Sequence, residues 1–165
     1  MSDSQKNALL DGIIRFLRDI GIQTKWVELS EETFLPGIGV DCGTLLIDEP
    51  KLLYPGDLLH EGGHLAVIPA ERRMRAQNYI GKKAAEEMMA IAWSFAALTH
   101  LGLDPSVVFH EAGYRGGSAA LIENFTNGRY IGVPMLQWIG LTADNKRAEE
   151  KGIRPYPSMI KWVLE

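Results

Sequence analysis

The chain is poor in features that mark several protein classes. Its 165 residues include a single cysteine, Cys42, which excludes an intrachain disulfide and a zinc site built on cysteines. Basic residues do not predominate: 17 Lys and Arg stand against 21 Asp and Glu, for a net charge of -4. The broad cationic field that nucleic acid draws on is missing, and no nucleic-acid partner is expected. No apolar run is long enough for a bilayer; the longest, residues 88–98, is interrupted by Ser94. The opening MSDSQKNALLDG has acid and polar groups where a secretion signal has a basic start and an apolar stretch. No membrane contact and a cytoplasmic setting are expected. Repeats, low-complexity tracts and linkers are absent too. At about 150 residues per domain, 1–165 reads as a single domain, and 46% hydrophobic residues suffice for its core.

What is present is mostly helix. Leu9, Leu10, Ile13, Leu17 and Ile20 recur at helical spacing before Gly21. IQTKWVEL, with aromatic and β-branched residues, predicts a strand. Pro36, Gly37 and Gly39 predict a loop, and Thr44-Leu45-Leu46-Ile47 a second strand closed by Asp48-Glu49-Pro50. A short helix is expected from near Pro55, suited to a first helical position because its missing N–H would be unpaired there, and it should stop before Pro69. KKAAEEMMAIAWSFAALTHL, ended by Gly102, is the strongest helix. It sets Met88, Ile91, Phe95 and Leu98 on one apolar side, with Ala84, Ala92 and Ala96 allowing close packing. Asp104-Pro105 predicts a helix over 107–112, Ser118 a cap for AALIENFTN, and Pro134 the start of MLQWIGL. Residues 144–151 read as surface, and Met159, Ile160, Trp162 and Val163 as anchors of the C-terminal stretch. Trp93, Trp138 and Trp162 are expected in the core. Many helices with few strands give an α+β class.

The sharpest feature is His60-Glu61-Gly62-Gly63-His64. Residues four apart on a helix lie on one face, so both imidazoles can reach one divalent ion. Glu61, beside His60 and about a turn before His64, can then address a metal-bound water as a base without being a ligand. Gly62 and Gly63 each cost about 1 kcal/mol relative to Ala inside a helix. Their smallness admits another backbone, or a substrate, close to the metal helix.

A catalytic zinc ordinarily has three protein ligands. Candidates for the third are Glu71, Glu86, Glu87, His100, His110, Glu111 and Glu123. Glu87 is favoured, because Ala90, Ile91, Ser94 and Leu98 follow it at three- and four-residue intervals and give it a rigid, largely apolar helix face. Glu86 points about 100° away and is expected to meet solvent or Lys82 and Lys83.

The HEGGH pentad, with Glu87-Met88-Met89-Ala90-Ile91-Ala92-Trp93 further on, resembles the compact gluzincin zinc metallopeptidases, including the ImmA/IrrE-type group. The resemblance covers roughly residues 43–98. It implies a mostly helical zincin-like domain whose small active-site sheet packs on the HExxH helix. It also implies Zn2+ bound by His60, His64 and Glu87, Glu61 as base, and Trp93 where a bulky aromatic is common.

FHEAGYRGG adds His110 and Tyr114, four apart, which would share a face if a helix persisted through Gly113. Either could donate to the oxyanion that forms when water attacks a carbonyl; the other reading has His110 capping a helix end and Tyr114 packing under the glycine loop. His100 reads as a helix-end histidine, Arg115 and the run Glu71-Arg72-Arg73-Met74-Arg75 as solvated surface, and Cys42 as unreactive for want of a basic neighbour. The expected function is zinc-dependent hydrolysis of peptide or amide bonds in a peptide or protein substrate. The alternative is a metal-binding but catalytically inactive interaction or regulatory domain.

Overall fold

The computed structural model describes residues 2–77 and 83–165. They form an α+β fold in which helix predominates over a three-stranded mixed sheet. Helix α1 (Asp3–Asp19) opens on a reciprocal cap: the Ser2 hydroxyl accepts from the Gln5 N–H, and the Gln5 side chain accepts from the Ser2 N–H. It buries Leu10, Ile13 and Leu17 of the predicted stripe, together with Ile14 and Phe16, while Leu9 and Ile20 are only partly buried.

The sheet has the order β1-β3-β2. β1 (Thr24–Trp26) runs parallel to the central β3 (Thr44–Ile47), and β2 (Ile38–Asp41) antiparallel to it. β3 has the bounds its sequence predicts, whereas IQTKWVEL contributes only three strand residues. Ile38 and Gly39, expected in a loop, belong to β2. The glycine signal there has another cause. A Cβ on Gly37 would lie 2.4 Å from the Leu52 amide nitrogen, and φ is +78°, so that position serves a close approach just before the strand. The β2–β3 hairpin turns through Cys42 and Gly43, both at positive φ.

Helices α2 (Asp57–Ala66), α3 (Ala70–Arg73) and α4 (Ala84–His100) follow. The apolar side expected of α4 proves too narrow. Every residue from Met89 to Leu98 is buried, Ser94 included, while Met88 and Ala84 are exposed. The helix is central: α2 packs along it, α6 (Val133–Trp138) meets its N-terminal part, and the C-terminal stretch covers another side. There the Trp93 Nε1–H donates to the Trp162 carbonyl at 2.7 Å, and the Tyr156 hydroxyl to the Ala92 carbonyl at 2.8 Å.

Beyond α4 the chain is less regular than expected. Asp104 caps as predicted, accepting from the Ser106 N–H, but Pro105–Val107 makes only a short 3-10 turn and no helix runs to 112. Ser118 is the first residue of α5 (Ser118–Thr126) and does not cap it; its hydroxyl donates to the His110 carbonyl at 2.6 Å. The 144–151 segment is exposed apart from Ala148 and forms α7 (Asn145–Lys151), capped by Asp144. Trp138 is not a core residue: it is 86% exposed. α6 buries Val133 and Leu136, and a residue two beyond Leu136 lies about half a turn round the helix. Trp162 and Val163 do pack on the core, whereas Ile160 faces out.

The basic run is not simply a solvated face either. Arg73 donates to the Leu65 and Ile68 carbonyls at 2.8 and 2.9 Å and also to that of Leu164, whose own N–H donates to the Ala66 carbonyl. It thereby ties the end of α2 to the C-terminal stretch. Among the described residues, no helix is long and apolar enough to cross a membrane.

Candidate metal centre

The close approach of α2 and α4 builds the centre. An ideal Cβ on Gly63 would lie 3.0 Å from the Ala90 carbonyl oxygen and 3.2 Å from the Ala90 Cα. Only glycine lets the two backbones meet there without displacement. Gly62 faces elsewhere, toward a δ-methyl of Leu17 on α1. The helix penalty of the two glycines is therefore compensated by packing three helices closely behind the histidines.

On the opposite side of α2, Asp57, His60, Glu61 and His64 follow one another at helical spacing along one face. His60 Nε2 and His64 Nε2 are 3.1 Å apart. Glu87, in the first turn of α4, places one carboxylate oxygen 3.4 Å from His60 Nε2 and the other 3.1 Å from His64 Nε2. Donors about 2.0 Å from a tetrahedral ion lie roughly 3.3 Å apart, so these side chains have the spacing of a shared coordination sphere. Among the described residues they are the one His, Cys, Asp and Glu group close enough to hold an ion together. Two imidazoles with a carboxylate suit borderline divalent cations, zinc among them.

Burial sets the protonation of this face. It pushes the His60 imidazole down to about 4, with nearby His64 acting in the same direction against Glu87, so at neutral pH His60 has a lone pair to offer. Burial pushes Glu87 up, but its hydrogen bond to His64 and the attraction of both imidazoles outweigh that, and the carboxyl lies below its ordinary range. Glu61 moves the other way: burial raises it, despite His64. It also lines a groove of about 510 Å³ whose walls include Leu29, Phe34, Ile38, Val40 and Leu46.

Glu86 departs from expectation in part: Lys83 is beside it as expected, but it does not face solvent. It is 7% exposed and takes a two-pronged contact from Arg72 at 2.7 and 3.1 Å, with Lys83 at 3.6 Å; Lys82 lies outside the described residues. The helical offset from Glu87 is as expected, but Glu86 points at α3. Glu71 pairs with Arg75 and Glu123 with Arg129. His100 ends α4 against Phe16 and Trp162. Arg115 is exposed, as is Cys42, whose thiol is raised chiefly by its hydrogen bond with Asp41.

His110 and Tyr114 share no helical face, because the chain from 110 to 113 is irregular. Both nevertheless reach α2. His110 Nε2 lies 2.8 Å from Asp57 Oδ1, and its ring stacks on Tyr54 with centroids 3.8 Å apart. The Tyr114 hydroxyl lies 3.3 Å from His60 Nδ1. Burial, reinforced by Asp57, Glu87 and Glu61, raises Tyr114 well above the usual phenol range and keeps it protonated. Asp57 is raised by burial, opposed by His110. Its place in the site is missed by sequence reasoning, although its position three residues before His60 was an available signal.

No protein-family model matches the chain, and comparison with curated proteins and with solved structures finds no match.

Proposed function

We propose that the chain is a zinc-dependent hydrolase of peptide or amide bonds, working in the cytoplasm on a peptide or protein substrate. The observation that carries this reading is the convergence of His60 Nε2, His64 Nε2 and the Glu87 carboxylate within 3.1–3.4 Å, with Glu61 on the same helix face and bordering a groove. The resemblance of HEGGH and the later Glu87 helix to the gluzincins agrees with it.

His60, His64 and Glu87 would hold the ion. When bound, zinc supplies the acidity that makes a water nucleophilic near neutral pH and polarises a carbonyl oxygen. Glu61 is the base in this scheme: its carboxylate accepts the proton from the attacking water and returns it to the leaving nitrogen. Burial makes it a better proton acceptor than a solvated glutamate. The groove beside Glu61 binds an extended substrate in this scheme. Of the two residues read as oxyanion donors, Tyr114 has its hydroxyl against His60 Nδ1, the ring nitrogen away from the ligating Nε2, and His110 is occupied by Asp57, so neither takes that step.

The test is Glu61→Gln in zinc-loaded protein, assayed on a mixed library of internally quenched peptides. The variant keeps stoichiometric zinc and loses at least about 100-fold in rate, the lower range for removing a positioned base. Zinc binding with no hydrolysis by wild type would favour the non-catalytic regulatory domain, and equal rates in both proteins would remove Glu61 from the mechanism.

A further inference from the structure

We propose that the 110–118 segment is the outer support of the metal centre, with Tyr114 as the positioning residue that fixes the ring orientation and tautomer of His60. The inference rests on the metal-site reading above and adds to it a role for a part of the chain that the HEGGH resemblance does not reach.

An imidazole that ligates through Nε2 carries its proton on Nδ1, and that N–H needs an acceptor. In this tautomer the His60 Nδ1–H donates to the Tyr114 hydroxyl oxygen, 3.3 Å away, while the phenol ring meets the imidazole edge-on with centroids 5.5 Å apart. His64 has no such partner: its Nδ1 is buried without a hydrogen bond among the described residues, and its polar contacts are all made through Nε2. The two ligands are thus supported differently, and the Nδ1 partner of His60 comes from beyond residue 103.

The backbone gives independent reason to regard the contact as held in place by its surroundings. Tyr114 and Arg115 lie at φ +54° and +51°, a region costing non-glycine residues of order 1 kcal/mol or more each. An irregular loop with no bonds to the body would relax out of it. This one is fastened to α2 at His110 and closed on itself by Ser118. His110 binds Asp57, which lies one helical turn before His60 on α2, and the Ser118 hydroxyl donates to the carbonyls of His110 and Gly113. Phe109 packs edge-on against Tyr114 from inside. Two successive turns of α2 are therefore gripped by one loop, at Asp57 and at His60.

The test compares wild type with Tyr114→Phe, which keeps the ring and removes the hydroxyl. Zinc affinity is measured by competition with a chromophoric chelator, and the histidine tautomers of metal-free protein by long-range 1H–15N correlation. Wild type is expected to show His60 protonated at Nδ1, and Tyr114→Phe to show mixed tautomers and a 10- to 100-fold weaker zinc affinity, the usual effect of losing a ligand's outer partner. Ser118→Ala, which touches no ligand, reports loop loosening alone and is expected to change affinity less than Tyr114→Phe. Equal affinity and an unchanged His60 tautomer in Tyr114→Phe would overturn the inference while leaving the metal site intact. No zinc binding by wild type would instead overturn the metal reading, and this inference with it.

Discussion

The α2–α4 pair and the loop that follows α4 address the same histidine by opposite means. The pair relies on absence: with no side chain at Gly63, one backbone lies against another, and the Ala-rich middle of α4 is buried on every side. The loop relies on specific polar contacts, with His110 on Asp57, Tyr114 on His60 and Ser118 on carbonyls. Packing of the first kind gives a stiff frame that sets the distance from His60 and His64 to Glu87. Contacts of the second kind set direction within that frame, and they tolerate a strained, irregular backbone.

The frame is the easier of the two to break. Gly63→Val forces a branched side chain against the Ala90 backbone and the Trp93 ring, neither of which can rotate away. A loss of about 1–3 kcal/mol is expected from overpacking, read as a lowered urea midpoint, together with weaker zinc binding as Glu87 is pushed from the imidazoles. Unchanged stability and affinity would mean that the close approach of α2 and α4 is not what positions the centre.

Next in size is Arg72→Ala. It leaves Glu86 buried without its main partner, but the arginine is half exposed and solvent screens the pair, so about 1 kcal/mol is expected. Its pH dependence has a definite sign. Arg72 foremost holds the Glu86 carboxyl below its ordinary range against burial. The pair therefore contributes above the ordinary glutamate range, and that contribution is lost as pH falls through the lowered folded-state value. Arg72→Ala should flatten this part of the acid-denaturation profile, and an unaltered profile would show that the pair contributes nothing to acid stability.

The smallest effect is expected at Gly62→Ala. The new methyl meets the far end of the Leu17 side chain rather than backbone, 2.7 Å from its δ-carbon, and the gain in helix propensity of about 1 kcal/mol offsets the adjustment. A net change within about 1 kcal/mol separates this glycine from its neighbour; a loss as large as that of Gly63→Val would show that the two are equivalent.

Much of the frame was legible in the sequence because its signals are local. Helical spacing marked α1 and the HEGGH face, β3 was readable from four consecutive residues, and Gly102 ended α4. Glu87 stood out because a small, apolar helix followed it. What was not legible depends on partners distant in the chain. Gly37 and Gly39 read as loop because a crowded approach and a strand glycine look like turn glycines. Glu86 reads as meeting solvent or the nearby Lys82 and Lys83, because Arg72 reaches it from another helix. Trp138 reads as core because no basic residues interleave with it as on a stacking platform, whereas its position on the exposed side of a six-residue helix decides its place. The four-residue spacing of His110 and Tyr114 marks them as a pair, but the irregular loop sends each to a different turn of α2.

Metal stoichiometry is the most direct measure of the central claim. Elemental analysis of zinc-loaded and desalted wild type, His64→Ala and Glu87→Ala is expected to give one zinc per chain for wild type and substoichiometric zinc for both variants, with helical circular dichroism retained. Wild type without zinc, or full retention of zinc in both variants, would contradict a centre built from His60, His64 and Glu87.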